Sequence, residues 1–132
     1  IWEASMSAAF YKLDNLTVIV DRNMLQISGR TEQVMALEPL AERFTAFGYA
    51  VRAVDGNDVA ALVELFAQTP FVPGKPSLII AHTVKGKGFS FTEDAVEWHH
   101  HVPTAAELAT GLAETAQAEQ RWWEKYGALA TR

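Results

Sequence analysis

Apolar residues recur at helical spacing from the first residues onward. Trp2, Met6, Ala9, Phe10 and Leu13 fall on one face, so the spacing predicts an amphipathic helix over 2–13. Asp14 and Asn15 turn the chain into residues 16–20, a short apolar run rich in β-branched side chains. Such a run suits a strand covered on both faces. It runs out into Asp21, Arg22 and Asn23, continues through the apolar pair Leu25 and Ile27, and stops at Gly29. Residues 28–36 read as a polar connection with Gly29 as its turn. Pro39 suits the first turn of a helix; Leu40, Phe44 and Phe47 then share a face, and Gly48 supplies the C-terminal cap. Residues 49–54 alternate as a strand. Asp55, Gly56, Asn57 and Asp58 turn the chain and offer a helix N-cap, and Val59, Leu62, Val63 and Phe66 form the next helical face. Residues 70–76 are a Pro/Gly linker before another buried strand, Ser77–His82.

Residues 83–103 form a long connection without clear periodicity, which in a compact domain points to a functional segment or disorder. Thr104 and Glu107 then make a capping-box pattern, followed by an Ala-rich helix to about Tyr126. The adjacent Trp122 and Trp123 cannot share one helical face, which leaves one of them for a partner chain. Helix alternating with strand implies an α/β fold: a parallel sheet with helical crossovers on both faces, its three strands part of a larger sheet.

Composition narrows the class. The 132 residues fit one domain or part of one, and 49% hydrophobic with 20% charged content is ordinary for a globular chain. The net charge of −5 comes without a basic patch or stripe, which disfavours nucleic acid as a partner. No apolar run approaches the roughly 18 residues of a membrane span. Residues 1–13 lack the basic start and small-residue cleavage site of a signal peptide. The absence of cysteine removes disulfides and thiol nucleophiles from these residues and is compatible with a cytoplasmic location.

The chemistry-bearing residues admit plain readings first. Glu3 is a solvated carboxylate in a helical first turn, favourable near the positive helix end. Asp21 and Asn23 can serve as turn residues that hydrogen-bond nearby backbone, but they also lie where a strand of an open α/β sheet ends, the place where ligands bind in such sheets. Asn23 and the carbonyls after it offer neutral oxygens of the kind Mg²⁺ accepts. Lys85-Gly86-Lys87-Gly88 is neither a Walker A motif nor G-x-G-x-x-G. His99, His100 and His101 cannot easily converge on one ion if the backbone is extended, since successive side chains then alternate in direction. His82, at a strand end, reads as structural.

Five segments, taken together and in order, carry a resemblance: IWEASMSAAFYKLDNLTVIVDRN, LEPLAERFTAFGY, VDGND, IIAHTVKGKGFSF and VEWHHHVPT. The chain resembles the thiamine diphosphate-binding domain of transketolases up to about residue 115, and within that family the short N-terminal subunit of two-subunit bacterial enzymes; residues 116–132 stand as a C-terminal helical extension. The family's Gly-Asp-Gly and Gln-Glu-Gly are expected just before Ile1, so the chain is read as a piece of a longer protein, the C-terminal half of that domain.

The resemblance implies thiamine diphosphate with Mg²⁺ (or Ca²⁺) as cofactors and transfer of a two-carbon ketol unit between sugar phosphates, in a cytoplasmic enzyme of the pentose phosphate type. It makes Asn23, through its side-chain oxygen, and Leu25, through its carbonyl, the metal ligands; Asp21, Asn23, Leu25, Ile27 and His99 the cofactor-binding residues; and His99 the catalytic group close to the reacting carbon. Glu3 becomes a dimer-interface residue whose partner lies on another chain. Lys85 and Lys87 fall in a loop near the active-site entry, where they could aid an anionic substrate. Met24 stands where many relatives have a small or polar residue. The expected partners are a second subunit carrying the pyrimidine-binding site, a further copy of the chain in a dimer or heterotetramer, and sugar-phosphate substrates, with no nucleic acid and no membrane. The glutamate that activates the cofactor's aminopyrimidine belongs to the second subunit, so this chain alone is expected to be inactive. Another thiamine diphosphate enzyme, such as a deoxyxylulose-phosphate synthase or a dehydrogenase first component, and a non-catalytic assembly module are the alternatives.

Overall fold

The computed structural model describes residues 1–130, with side chains described as far as residue 126. The chain divides into two compact units, residues 1–84 and the residues from 85 onward.

The first unit opens with α1 (Trp2–Phe10), shorter than the predicted 2–13. The helix stops in a Schellman turn: the Leu13 N–H donates to the Ala8 carbonyl at 3.0 Å and the Lys12 N–H to that of Ala9 at 3.1 Å, with Lys12 at φ 53°. That position ordinarily calls for glycine, so the apolar spacing runs past the real end without a stop signal. β1 (Thr17–Arg22) follows and ends two residues beyond the apolar run, because Asp21 and Arg22 still pair with Ala81 and His82 of β5 (Ser77–His82).

Residues 25–34 differ from the predicted apolar continuation through Leu25 and Ile27 and polar connection over 28–36. β2 (Leu25–Gln26) and β3 (Gly29–Arg30) form a small antiparallel hairpin, so the chain reverses at Ile27 and Ser28. A single turn, α2 (Thr31–Val34), comes next, then α3 (Leu40–Ala46), β4 (Ala50–Asp55), α4 (Val59–Phe66) and β5. α3 ends in a second Schellman turn, here with Gly48 at φ 100° as the spacing predicts. α4 starts on Asp58, whose side chain accepts the Ala61 N–H at 3.0 Å.

The main sheet has the order β1-β5-β4 with both pairs parallel. The step from β1 to β4 through α3 and the return from β4 to β5 through α4 run in opposite directions across the sheet. Right-handed crossovers therefore put the two helices on opposite faces. On the α3 face, Ala8, Leu40, Phe44, Tyr49, Leu78 and Ile80 form the core, with Leu16, Val18 and Val20 packed against it. The α4 face is less covered: Ile19 is 53% exposed and Val63 64%, and no residue of α4 is fully buried.

In the second unit, a single 3₁₀ turn (Val96–His99) interrupts the loop, and α5 (Ala105–Ala130) follows it. Thr104 and Glu107 form the predicted capping box: Glu107 Oε2 accepts the Thr104 N–H at 2.7 Å, and Thr104 Oγ1 accepts the Glu107 N–H at 3.3 Å. Trp122 and Trp123 are both about half exposed and meet edge to face.

All three parallel strands end at one edge, where Gly56 closes the packing. Its N–H donates to the His82 carbonyl at 2.8 Å. A Cβ at Gly56 would lie 2.5 Å from Thr83 Cγ2 and 2.9 Å from Ala81 Cβ. Gly56→Ala should therefore lower stability by about 1–3 kcal/mol through overpacking, read as a lower urea midpoint. An unchanged midpoint would show that this edge has room to spare.

Candidate functional site

The site is built from the polar end of β1 upward. Strand alternation puts Leu16, Val18 and Val20 on the core face, and Arg22 follows them there. Its side chain is only 2% exposed. A buried guanidinium must be paired and hydrogen-bonded, and this one is: Nε donates to Glu38 Oε1 at 3.0 Å, Nη1 to Thr31 Oγ1 at 2.8 Å and Nη2 to Glu32 Oε1 at 2.7 Å. Glu32 also accepts the N–H of Leu37 and Glu38 that of Leu40, at the start of α3. The Leu37 N–H, ahead of the Glu38 N–H and the Arg22 charge, holds the Glu32 carboxyl below its usual range against the opposing pull of burial. The Leu40 N–H, ahead of Arg22, does the same for Glu38.

Asn23 and Leu25 lie in the loop that this cluster closes. Asn23 Oδ1 accepts the Leu25 N–H at 2.9 Å, which is the side-chain turn that the plain reading of Asn23 anticipates. That turn leaves Asn23 available as a ligand, because an amide oxygen has two lone pairs. On the other side of the chain, the Met24 carbonyl accepts the Thr31 N–H at 2.9 Å. Leu25 is extended, so its carbonyl points to the same side as its own N–H, toward Asn23 Oδ1. Two neutral oxygens thus share one edge of the loop, a donor set that suits a hard cation shared with phosphate oxygens. A cavity of about 310 Å³ beside them is lined in part by Asp21, Arg22, Asn23 and Leu25.

The other sequence-predicted residues are dispersed. Asp21 faces away from Arg22 and receives a hydrogen bond from Thr83 Oγ1. Ile27 sits at the hairpin tip, 64% exposed. Glu3 lines a surface groove on α1 and α3 with Trp2, Met6, Arg43 and Phe47. His82 is exposed at the end of β5.

His99 belongs to the second unit, where it ends the 3₁₀ turn. The backbone there is turned rather than extended, so strand alternation does not set the directions of the three histidine side chains. The His99 and His100 rings meet edge to face at 4.5 Å, while His101 packs on Trp98 at 4.3 Å and places Nε2 3.1 Å from Glu107 Oε2. Lys87 is paired with Glu93 at 3.4 Å, so its charge is already engaged.

Sequence reasoning assigned no role to Arg22, Thr31, Glu32 or Glu38. The available signal was the alternation of β1, which carries Arg22 onto the core face and so requires buried partners for it.

The three-stranded parallel sheet with flanking helices defines an α/β fold. The comparisons specify it. The family described as transketolase, thiamine diphosphate binding domain, matches residues 1–126. The chain is 45% identical over 117 residues to one of the subunits of the apulose-4-phosphate transketolase of Phocaeicola vulgatus, covering 89% of this chain and 42% of that protein. It is 39% identical over 114 residues to the 6-deoxy-6-sulfo-D-fructose transketolase subunit SqwG of a Clostridium species, covering 86% of this chain and 42% of that protein. Among solved structures, transketolase from Campylobacter jejuni superposes with a TM-score of 0.69 at 25% identity, covering 99% of this chain and 25% of that one. The chain belongs to the transketolase thiamine diphosphate-binding family, and it spans less than half the length of these relatives. Among the described residues, no helix is long and apolar enough to cross a membrane.

Two measurements check this geometry. Met24 holds φ 65°, a left-handed conformation that costs a side-chain-bearing residue about 1–2 kcal/mol. Met24→Gly should raise the melting temperature, the gain reduced by the greater unfolded-state freedom of glycine. An unchanged or lower melting temperature would mean that the Met24 side chain offsets its backbone strain.

The second concerns Glu107. The Thr104 N–H, then His101 and the Thr104 hydroxyl, lower its carboxyl from 4.5 to about 2. A depressed carboxylate stabilises the start of α5 fully above its ordinary value, and that contribution disappears as pH falls through the folded value. The carboxyl resonance of Glu107 should therefore stay unshifted down to pH 3; a midpoint near 4.5 would contradict the capping geometry.

Proposed function

We propose that this chain forms part of a transketolase that depends on thiamine diphosphate and Mg²⁺ and transfers a two-carbon ketol unit between sugar phosphates. The observation that carries the proposal is the turn at the carboxyl end of a parallel strand in which Asn23 Oδ1 accepts the Leu25 N–H at 2.9 Å. Family membership supports it, as do two relatives named as transketolase subunits.

In this reading, Asn23 and Leu25 supply two oxygens to the metal that anchors the diphosphate, and Ile27, exposed at the hairpin tip, packs against the cofactor. Asp21 stands beside the site, held by Thr83. The bound cofactor supplies the nucleophilic carbon and the electron sink. His99 moves a proton to or from a substrate hydroxyl, a task imidazole performs near neutral pH. Glu3 lies at an interface with a second copy. A separate subunit contributes the pyrimidine-binding half, so this chain alone is inactive. The exposed apolar residues Ile19, Val59 and Val63 match a protein that works in an assembly.

The test uses the complete protein carrying these residues, with its partner subunit. Ketol transfer from a ketose phosphate should require both thiamine diphosphate and a divalent cation. Asn23→Ala should weaken metal binding by about 10-fold or more, and His99→Ala should lower kcat by about 10²-fold or more. Transfer from pyruvate in place of a ketose phosphate would assign another thiamine diphosphate reaction. Full turnover by the chain without a partner would overturn the two-subunit reading.

A further inference from the structure

The buried cation at the end of β1 does more than fill the core. Arg22 precedes the loop and Thr31 follows it, and the two are joined by the 2.8 Å bond from Nη1 to Thr31 Oγ1. Thr31 in turn holds Met24: its N–H donates to the Met24 carbonyl at 2.9 Å, and its hydroxyl lies 3.4 Å from the same oxygen. Met24 is the residue between Asn23 and Leu25, and its φ of 65° turns the chain so that those two oxygens share an edge. A left-handed residue persists only where its surroundings over-determine it. Here Thr31 supplies that restraint, and Arg22 holds Thr31. Glu32 and Glu38 fix the other two corners of the guanidinium and tie it to the start of α3.

We infer that Arg22 is a positioning residue for the cofactor's metal: through Thr31 and Met24 it holds the Asn23–Leu25 loop in liganding shape before metal and diphosphate arrive. This rests on the thiamine diphosphate and Mg²⁺ reading above. Groups that orient metal ligands typically change metal affinity by 10–100-fold when removed, because an unrestrained loop must be ordered at the moment of binding.

The test uses the complete protein with its partner subunit, and Mg²⁺ titrated at saturating thiamine diphosphate. Thr31→Val removes the hydroxyl relay while keeping shape and the N–H bond to Met24. Arg22→Lys keeps the charge but cannot reproduce the three-cornered hydrogen bonding. Both variants should bind Mg²⁺ about 10-fold more weakly. Thr31→Ser should restore wild-type affinity. In protein free of cofactor, amide exchange across residues 23–31 should quicken in Thr31→Val while the β5 amides keep their protection. That readout needs neither metal nor activity, and it keeps the test open should Arg22→Lys fold poorly.

Wild-type Mg²⁺ affinity and loop exchange in Thr31→Val would overturn the positioning role and leave the cofactor reading intact. Failure of the wild-type complex to bind thiamine diphosphate with Mg²⁺ would overturn the cofactor reading, and this inference with it.

Discussion

The structure around the carboxyl end of β1 depends on one constraint: a guanidinium has been placed where the sheet would otherwise bury an aliphatic side chain. Arg22 cannot lose its proton, and it carries five N–H donors in a fixed planar fork. Burying it is tolerable only if those donors meet oxygens in matching directions. The partners come from residues 31–38, whose apolar Val34 and Met35 stay exposed, so the charge organises a region that the hydrophobic core does not reach. Thr31, Glu32 and Glu38 converge on the fork, and α3 then starts on the Glu38 carboxylate. Two carboxylates face one guanidinium in this cluster. Without the cation, two like charges would share a partly buried corner, and the hairpin, α2 and the entry to α3 would lose their common anchor.

Local chemistry explains which elements were legible in the sequence. Ser77–His82 was legible to the residue, because its centre, Leu78 to Ala81, is an apolar buried run and a turn-forming segment precedes it. The Gly48 stop, the Asp58 cap and the Thr104–Glu107 box were legible because each uses a residue type specific to that geometry. The end of α1 was not, because Lys12 occupies a left-handed position that usually belongs to glycine. The hairpin at 25–30 was missed for a related reason: its reversal at Ile27 and Ser28 uses neither Asn-Gly nor Asp-Gly. β1 outran its apolar residues because pairing with β5, rather than side-chain character, sets where it ends.

The candidate site was legible in a different way. Asn23 and Leu25 were placed at the end of a strand by periodicity and given a role by resemblance; the structure joins them by the hydrogen bond from the Leu25 N–H to Asn23 Oδ1. The residues that support them, Arg22 and Thr31, were invisible to motif reasoning, since a lone Arg and a lone Thr carry no pattern. They become visible only when alternation is followed past the last apolar residue and the question is asked where a buried charge finds its partners. The two faces of the sheet contrast in the same way. The α3 face is closed by a continuous core, while the α4 face leaves Ile19 and Val63 in solvent, a difference that the apolar pattern of α4 alone does not reveal.

The donor set itself limits how the proposed site can work. Asn23 Oδ1 and the Leu25 carbonyl are neutral, and the carboxylate closest in sequence, Asp21, is turned to Thr83. Two neutral oxygens cannot repay the dehydration of a small divalent cation, which keeps its waters tightly and favours anionic partners. Under the proposed function, the negative charge comes from ligands outside these residues, the diphosphate among them, and the metal and the cofactor reinforce each other's binding. What the protein contributes on this side is geometry rather than charge. That is why a clamp that pre-orders the loop can matter as much as the ligands: with little electrostatic attraction of its own, the loop has little free energy to spare for ordering itself when the cation arrives.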